Sequence, residues 1–236
     1  MRLLLLSNST THGYGYLEHA KNDIIKFFGK DVKKICFVPF AGVSLSYNEY
    51  SEKVGKVFNE LGYELEPLHL SSNYIQTVRS AEAIAVGGGN TFHLLHELYR
   101  FSLVEVIREK VKNGMPYIGW SAGSNMACPT IKTTNDMPII EPESFKALNL
   151  IPFQINPHYT DVKIENHHGE TRDQRLEEFL EVNRDIYLTG LREGCTLKIE
   201  ADSIEHIGEK SMKLFKYGQE KKEFSSGDDI SFLLKS

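Results

Sequence analysis

The first half of the chain alternates short apolar runs with longer amphipathic segments, and this alternation constrains the fold more than any other feature. We predict strands at residues 3–6, 35–40, 63–68, 81–86 and 117–120. The segments between them carry apolar residues at helical spacing, which predicts helices at residues 16–28, 47–61, 91–99 and 103–113. Strands that alternate with helices favour a parallel sheet with helices on both faces. The sequence therefore predicts an α/β fold with three αβα layers.

The alternation ends near residue 128, and the C-terminal part has a different pattern. Residues 129–169 are rich in Pro, Asn, Asp and His and are predicted to be mostly ordered loop, followed by a charged helix at 171–181. Short strand-like runs then occur at residues 186–188, 196–199, 211–217 and 230–234. We expect these to add antiparallel strands at one edge of the sheet. With neither a linker nor a repeat, residues 1–236 are expected to form a single domain.

Composition excludes several classes of function. The formal charge is −5, from 27 basic and 32 acidic side chains, and the chain has no strongly basic run. Nucleic acid is therefore not an expected partner. The four leucines at residues 3–6 are too few for a signal-peptide core or a membrane span, so we expect no membrane association.

Cysteine usage indicates the compartment. The chain has three cysteines, Cys36, Cys128 and Cys195, an odd number without a Cys-x-x-Cys pair. This fits a reducing cytoplasm and gives no sign of a disulfide or a zinc framework. We expect a cytoplasmic protein without a cofactor or metal.

The sharpest local signal is the sequence Gly-Trp-Ser-Ala-Gly at residues 119–123. It follows a predicted strand and precedes small residues compatible with a helix. This context is the one that a nucleophile elbow requires, with the serine hydroxyl exposed at the carboxyl edge of the sheet. Ser121 is the candidate nucleophile.

A second glycine-rich turn, Val-Gly-Gly-Gly-Asn-Thr at residues 86–91, also lies between a strand and a helix. The spacing of a phosphate loop is missing, so an oxyanion hole is the better interpretation. We expect backbone N–H donors from Gly88 or Gly89, and from Ala122 directly after the nucleophile.

A serine nucleophile needs a general base. His158 ends an apolar run and follows the rigid Pro157, so we expect it to project from the same sheet edge as Ser121. His167 and His168 lie in a polar loop and are expected to be solvated. The remaining histidines are expected to be surface or packing residues, or stand in weakly informative contexts.

The third member of a triad would be a carboxylate that orients the imidazole. Asp136, Glu170 and Glu193 are candidates, and the residues alone do not separate Asp136 from Glu193. The polar residues 8–10 follow the first strand and can approach the site, although helix capping is the more common role.

Taken together with their flanking residues, the motifs described above resemble those of the peptidase E family of α-aspartyl dipeptidases. The resemblance covers nearly the whole chain and is weak beyond about residue 200. The matching segments are LLLLSNST, FVPFAGV, VGGGNTF, YIGWSAGSN, ACPTIKTTNDMPI, QINPHYT, GETRDQR and GLREG. The resemblance implies a fold like that of the class I glutamine amidotransferases, with a Ser-His-Glu triad and no metal. It implies Ser121 as nucleophile, His158 as base and Glu193 as the orienting acid.

The resemblance also implies the substrate, a dipeptide with N-terminal aspartate. Such a substrate needs a cation for its β-carboxylate, and Arg172 is the first candidate because its planar guanidinium can bind a carboxylate through two hydrogen bonds. Glu170 is a candidate for the α-amino group, and Asn90 and Asp136 are expected as further substrate contacts. The sequence leaves a monomer and a homodimer equally open.

Other functions remain open at this point. A cyanophycinase-like peptidase would share the serine and cleave β-aspartyl links, and an esterase would share the elbow. A non-catalytic relative could keep the fold and bind an acidic metabolite. A glutamine amidotransferase is disfavoured, because that family carries a cysteine where this chain has Ser121.

Overall fold

The computed structural model describes residues 1–162 and 169–235, and within them the chain forms two sheets and seven α-helices. The strands are β1 (Arg2–Leu6), β2 (Lys34–Val38), β3 (Glu64–Pro67), β4 (Ala83–Val86), β5 (Tyr117–Trp120), β6 (Gln154–Tyr159), β7 (Leu188–Arg192), β8 (Thr196–Glu200), β9 (Ser203–Ile207), β10 (Met212–Phe215) and β11 (Lys222–Phe224). The helices are α1 (Lys21–Phe28), α2 (Tyr47–Glu60), α3 (Tyr74–Ser80), α4 (Thr91–Arg100), α5 (Leu103–Lys112), α6 (Ala122–Ala127) and α7 (Arg172–Val182).

The larger sheet has seven strands in the order β3-β2-β4-β5-β1-β8-β9. The first five strands in that order are parallel to one another. At the β1 edge, β8 pairs antiparallel with β1, and β9 pairs antiparallel with β8. The αβα class with antiparallel edge strands toward the C-terminus is confirmed. Because β4, β5 and β1 are parallel neighbours, their carboxyl ends lie side by side, where open α/β sheets place their sites.

The leucine run of β1 supplies both cores of this sheet. Leu3 and Leu5 pack on the face covered by α3 to α6, and Leu4 and Leu6 pack on the face covered by α1 and α2. All four side chains are fully buried. A strand covered on both faces needs apolar residues at every position, which explains why the run does not alternate.

The four strands β6, β7, β10 and β11 form a second sheet, in the order β11-β10-β7-β6. The helix α7 packs on it through Leu176 and Leu180, against Tyr159 and Leu188. The prediction that all C-terminal strands extend one sheet is therefore wrong, because β7, β10 and β11 belong to the second sheet. The prediction that His158 projects from the edge of the larger sheet is wrong for the same reason. His158 belongs to β6 of the second sheet and reaches the larger sheet across the boundary between the two.

Several local predictions differ from the structure. Residues 230–234 were predicted as a strand, but Ser231–Lys235 form a 3₁₀ helix, because periodicity alone cannot separate short apolar runs of these two kinds. The strand expected at residues 186–188 is β7, which continues past Gly190. A Cβ at Gly190 would lie 2.6 Å from the Tyr159 ring, so this glycine marks close packing rather than a strand end.

Four of the strands and α-helices were not predicted: α3, β9, β11 and β6, which lies within residues 129–169 that were expected to be mostly loop. The helix α3 is short, but its first turn carries a readable signal, since Asn73 accepts a hydrogen bond from the Gln76 N–H at 3.0 Å. Conversely, the first half of the predicted helix 16–28 is a turn and a 3₁₀ segment, and α1 begins at Lys21. Within residues 1–162 and 169–235, no helix has the length and apolar character needed to cross a bilayer.

Candidate active site

Ser121 stands in a strained backbone turn between β5 and α6. Its φ is 52° and its ψ is −112°, a conformation that few side-chain-bearing residues adopt. The turn depends on the flanking glycines, since a Cβ at Gly123 would lie 2.1 Å from the Val86 carbonyl oxygen and one at Gly119 would lie 2.5 Å from Gly123. The serine is thus partly exposed at the carboxyl end of β5, as a nucleophile elbow requires.

His158 is aimed by an irregularity in β6. The register between β6 and β7 shifts between Asn156 and Tyr159, and His158 itself has a φ of 52°. Such bulges turn one side chain away from the regular ladder and are frequent beside active sites. Here the shift directs the imidazole toward the larger sheet.

Ser121, His158 and Glu193 form one chain of hydrogen bonds. The His158 Nε2 lies 2.9 Å from the Ser121 Oγ, and the His158 Nδ1 lies 2.8 Å from the Glu193 Oε1. Because an ionised carboxylate only accepts, the neutral imidazole carries its proton on Nδ1 and donates it to Glu193. The Nε2 lone pair is then free to accept the serine hydroxyl.

Glu193 directly follows β7, beside the end of β1. The Gly194 N–H donates to the Asn8 Oδ1 at 2.8 Å, and the Ser7 hydroxyl donates to the Leu191 carbonyl at 2.7 Å. The backbone on both sides of Glu193 is therefore held by the two residues that directly follow β1. The side chains of His158 and Glu193 remain 41% and 50% exposed, so the arrangement is open to solvent.

The glycine turn after β4 leaves two amides without acceptors. The Gly87 N–H donates to Val38 at 3.1 Å and the Asn90 N–H donates to Ala41 at 2.8 Å. Between them, the N–H groups of Gly88 and Gly89 have no acceptor among the described residues. Gly89 has a φ of +139°, and a Cβ there would lie 2.2 Å from the Ala41 oxygen, so only glycine fits.

These amides border the serine. A Cβ at Gly88 would lie 3.1 Å from the Ser121 Cβ, so the bare backbone leaves space above Ser121. Ala122 is the first residue of α6, and the first N–H groups of a helix have no intrahelical acceptor. Two sides of Ser121 thus carry N–H donors that have no acceptor among the described residues.

A cavity of about 590 Å³ opens over the serine. Ser121, His158, Gly88 and Gly89 line its floor. Its remaining lining residues are Ser9, Tyr16, Ala41, Gly42, Val43, Ser44, Leu45, Tyr50, Asn90, Asp136 and Ile139. A second cavity of about 660 Å³ lies on the other side of His158.

Asn90 and Asp136 line the first cavity and also anchor α4. The Asn90 Oδ1 caps the helix by accepting from the His93 N–H at 3.0 Å, and its Nδ2 donates to the Met137 carbonyl. The Asp136 Oδ2 accepts from the Thr91 N–H at 2.8 Å, where a negative charge is favoured by the helix dipole. Both residues therefore lie near Ser121 with part of their hydrogen-bonding capacity already used.

Arg172 and Glu170 lie farther from the serine. Arg172 is partly buried in the first turn of α7, and the described part of the chain offers it no ion-pair or hydrogen-bond partner. Burial, and then the charge of Arg175, lower the pKa of Arg172. Glu170 is exposed, and its Oε2 lies 3.6 Å from the Arg175 Nε. Neither residue lines the cavity over Ser121 as the described residues form it.

Ser7, Asn8 and Tyr50 hold the site together but were not predicted to do so. Asn8 was considered mainly as a helix cap, whereas it is buried and accepts the Gly194 N–H. A pair of polar residues directly after a fully apolar strand is the signal that could have identified Ser7 and Asn8. Tyr50 lies in a helix and has no such signal.

Two further sets of residues bear on the site. His167 and His168, predicted to be solvated, lie outside the described residues. Within the described ranges, no group of three or more His, Cys, Asp or Glu side chains is arranged to hold a metal ion.

Comparison with known proteins gives consistent matches over the whole chain. The model of peptidase family S51 matches residues 3–207. A peptidase E of Nostoc sp. is 60% identical over 233 residues, covering 99% of this chain and 96% of that protein. A peptidase E of Shewanella amazonensis is 47% identical, covering 99% of both chains.

Solved structures share the fold at low sequence identity. The crystal structure of a peptidase from an acI-B1 Actinobacterium has a TM-score of 0.70 at 18% identity, covering 98% of this chain and 96% of that one. A putative peptidase E protein from Listeria monocytogenes has a TM-score of 0.59 at 22% identity, covering 95% and 98%. The family match and the two curated relatives decide the assignment: this chain belongs to peptidase family S51 and is a peptidase, a hydrolase that acts on peptide substrates.

Proposed function

We propose that this chain is a serine dipeptidase that hydrolyses dipeptides with an N-terminal aspartate through an aspartyl ester on Ser121. The observation that carries the proposal is the hydrogen-bonded chain of hydroxyl, imidazole and carboxylate, with contacts of 2.9 Å and 2.8 Å. Both distances lie within the reach needed for proton transfer and for orienting the imidazole.

In the first step, the Ser121 Oγ attacks the carbonyl carbon of the peptide bond. The His158 Nε2 takes the hydroxyl proton, and Glu193 stabilises the imidazolium that forms. The carbonyl oxygen becomes an oxyanion, which the N–H groups of Gly88 or Gly89 and of Ala122 would bind. Each such donor contributes about 3–4 kcal/mol to transition-state stabilisation in enzymes of this kind.

Collapse of the tetrahedral intermediate breaks the C–N bond. The imidazolium gives its proton to the leaving amine, which departs as the second amino acid. Water then attacks the aspartyl ester while His158 accepts its proton, and the Ser121 oxygen leaves with that proton. Free aspartate is released and the enzyme returns to its starting state.

Selectivity for aspartate is assigned to Arg172. A partly buried guanidinium without a partner among the described residues favours an anionic ligand, because pairing with a carboxylate offsets the cost of burying its charge. The next residue of α7, Asp173, accepts a hydrogen bond from the hydroxyl of Tyr159, and Tyr159 directly follows His158. The substrate β-carboxylate would extend past His158 toward the start of α7.

The α-amino group of the substrate needs an acceptor close to Ser121. Asp136 suits this role better than Glu170, because it lines the cavity over the serine while Glu170 is paired with Arg175. Hydrogen bonds from Thr91 and Thr134 hold the Asp136 carboxylate in place through Oδ2. The other oxygen, Oδ1, accepts no hydrogen bond from the described residues.

A dipeptide panel tests the proposal. Asp-Leu, Asn-Leu, Glu-Leu and β-aspartyl-Leu differ only in the charge, length or linkage of the first residue. We expect kcat/KM for Asp-Leu to exceed that for the isosteric Asn-Leu by at least about 100-fold, because the neutral amide cannot pair its charge with the partly buried guanidinium. Equal rates for these two peptides, or faster cleavage of the β-linked peptide, would contradict the assignment.

The nucleophile is tested separately. A fluorophosphonate should label the wild-type protein on Ser121, identified by mass spectrometry of the peptide, and should not label Ser121→Ala. Asp-Leu hydrolysis should disappear in that variant while its circular dichroism and melting temperature stay the same. A Ser121→Ala protein that still cleaves Asp-Leu would refute the mechanism.

A further inference from the structure

The hydroxyl of Tyr50 joins the glycine turn after β4 to the residue that precedes Ser121. Tyr50 lies in α2 and is 6% exposed. Its ring packs edge-on against Phe37, with centroids 5.3 Å apart. The hydroxyl is 2.9 Å from the Gly88 carbonyl oxygen and 3.1 Å from the Trp120 Nε1. One side chain therefore contacts the backbone of the glycine turn and the indole of the residue two positions before Ala122.

The direction of each hydrogen bond follows from the groups involved. The Trp120 indole can only donate and the Gly88 carbonyl can only accept, so the single Tyr50 proton goes to Gly88. The Tyr16 hydroxyl donates to Tyr50 at 3.2 Å and fills the remaining lone pair. Burial raises the pKa of Tyr50, which keeps the proton on its oxygen at neutral pH.

This contact orients the peptide group between residues 88 and 89. The described residues include no cis peptide bond, so the Gly88 C=O and the Gly89 N–H point in opposite directions. With the carbonyl directed at Tyr50, the Gly89 N–H is directed away from it. Tyr50 is the carbonyl's hydrogen-bond donor in the described part of the chain, and flanking glycines resist rotation of the peptide very little.

We propose that Tyr50 is a positioning residue for the oxyanion hole, whose hydroxyl fixes the 88–89 peptide so that the Gly89 N–H is oriented before the reaction begins. The inference rests on the proposed function, since it requires attack by Ser121. Orientation in advance matters because a donor that must first rotate loses much of its effect on the transition state. Tyr50 acts through Gly88 and Gly89, not on the reacting atoms.

The test is the variant Tyr50→Phe, which keeps the ring and removes the hydroxyl. We expect kcat for Asp-Leu to fall about 10–100-fold with KM within about 3-fold of wild type, somewhat less than the loss of a whole oxyanion donor. The rate of fluorophosphonate labelling at Ser121 should fall in parallel, because the phosphoryl oxygen uses the same donors. The melting temperature is measured alongside.

Tyr63→Phe is the matched control. Tyr63 is 5% exposed, and its hydroxyl donates to a glycine carbonyl, that of Gly29, at 3.1 Å. It has no contact with the glycine turn, so both kcat and the labelling rate should match wild type. A purely structural role for buried tyrosine hydroxyls would affect both variants alike.

A second variant, Gly87→Ala, tests the same contact independently if Tyr50→Phe folds poorly. A Cβ at Gly87 would lie 2.5 Å from the Tyr50 hydroxyl oxygen, so Gly87→Ala should displace that hydroxyl while Gly87 itself lines no part of the cavity. We expect the same loss of kcat and labelling rate.

The outcomes separate the two proposals. Unchanged kcat and labelling in both variants, or a raised KM with unchanged kcat, would overturn the role of Tyr50 while leaving the dipeptidase assignment intact. A wild-type protein that is not labelled at Ser121 would overturn the proposed function and this inference with it.

Discussion

The hydroxyl of Ser7 accepts a hydrogen bond from the backbone N–H of His158 at 2.9 Å, across 151 positions of the chain. The same hydroxyl donates to the Leu191 carbonyl at 2.7 Å, two residues before Glu193. A single buried serine at the end of β1 thus ties the backbone of the proposed base to the strand that carries the proposed acid.

Ser7→Ala should weaken both stability and catalysis. It leaves the His158 N–H and the Leu191 carbonyl unpaired, which costs about 1–3 kcal/mol of unfolding free energy. Loss of the contact should also lower kcat about 10-fold, since small displacements of a base are costly. Urea unfolding and steady-state kinetics measure the two effects. Ser51→Ala is the control, because the Ser51 hydroxyl is buried without a partner among the described residues and its removal should be nearly neutral.

Glu193→Gln should lower kcat about 100-fold and change KM little. The amide cannot select the imidazole tautomer with the proton on Nδ1, nor stabilise imidazolium. The expected loss is smaller than the roughly 10⁴-fold seen at a fully buried triad acid, because Glu193 is 50% exposed and water can partly replace it. Steady-state kinetics on Asp-Leu check this, with the exposed Glu209→Gln as control. A Glu193→Gln enzyme as fast as wild type would remove Glu193 from the mechanism.

Arg172→Ala should raise KM for Asp-Leu about 10–100-fold with a smaller effect on kcat. A hydrogen bond between charged groups contributes about 1.5–3 kcal/mol, and each 1.4 kcal/mol corresponds to a factor of ten. Arg175→Ala, three residues along the same helix, removes an exposed guanidinium that is paired with Glu170. It should leave KM unchanged. If the two variants behaved alike, Arg172 would not be the residue that recognises the β-carboxylate.

The unfolding free energy should decrease as the pH falls below about 6.5, the ordinary pKa of histidine. His206 is fully buried in β9, and burial lowers the pKa of its imidazole, against smaller raising effects of the Ser225 backbone and Asp228. At pH values between the lowered pKa of the folded state and the ordinary pKa of the unfolded state, the unfolded chain binds more protons than the folded one. The contribution of His206 to stability is therefore present above this pH range and is lost as the pH falls through it.

Urea unfolding from pH 7.5 to pH 5 measures this dependence. One proton changes the unfolding free energy by at most about 1.4 kcal/mol per pH unit. His206→Phe should reduce the slope of unfolding free energy against pH. Part of the slope should remain, because burial also lowers the pKa of His19. His12→Gln, at an exposed position, should leave the slope unchanged. An unaltered slope in His206→Phe would mean that this imidazole does not carry the dependence.

The larger sheet was largely predictable because its determinants are local. The four leucines of β1 are buried on both faces, which is why they form one unbroken apolar run. The elbow at Ser121 was equally readable, since a strand, a Gly-x-Ser-x-Gly turn and small residues stand together in nine positions. The family resemblance, confirmed by the S51 match, named Glu193 where the residues alone left Asp136 open.

The second sheet and the surroundings of the site were not predictable in this way. The imidazole of residue 158 was expected at the edge of the larger sheet, yet it arrives from β6 of another sheet through a register shift. Tyr50 gives no local signal of its contact with Gly88, 38 positions away.

By itself, the sequence determined the periodicity of each segment, the position of the elbow and the family of the chain. Those properties depend on neighbouring residues, whose steric and hydrophobic preferences act over a few positions. Only the tertiary structure decided which hydroxyl supports the proposed base, which phenol holds the glycine turn and which arginine has no partner among the described residues. Such contacts join residues distant along the chain, and they exist only after two sheets pack against each other and bring their ends together.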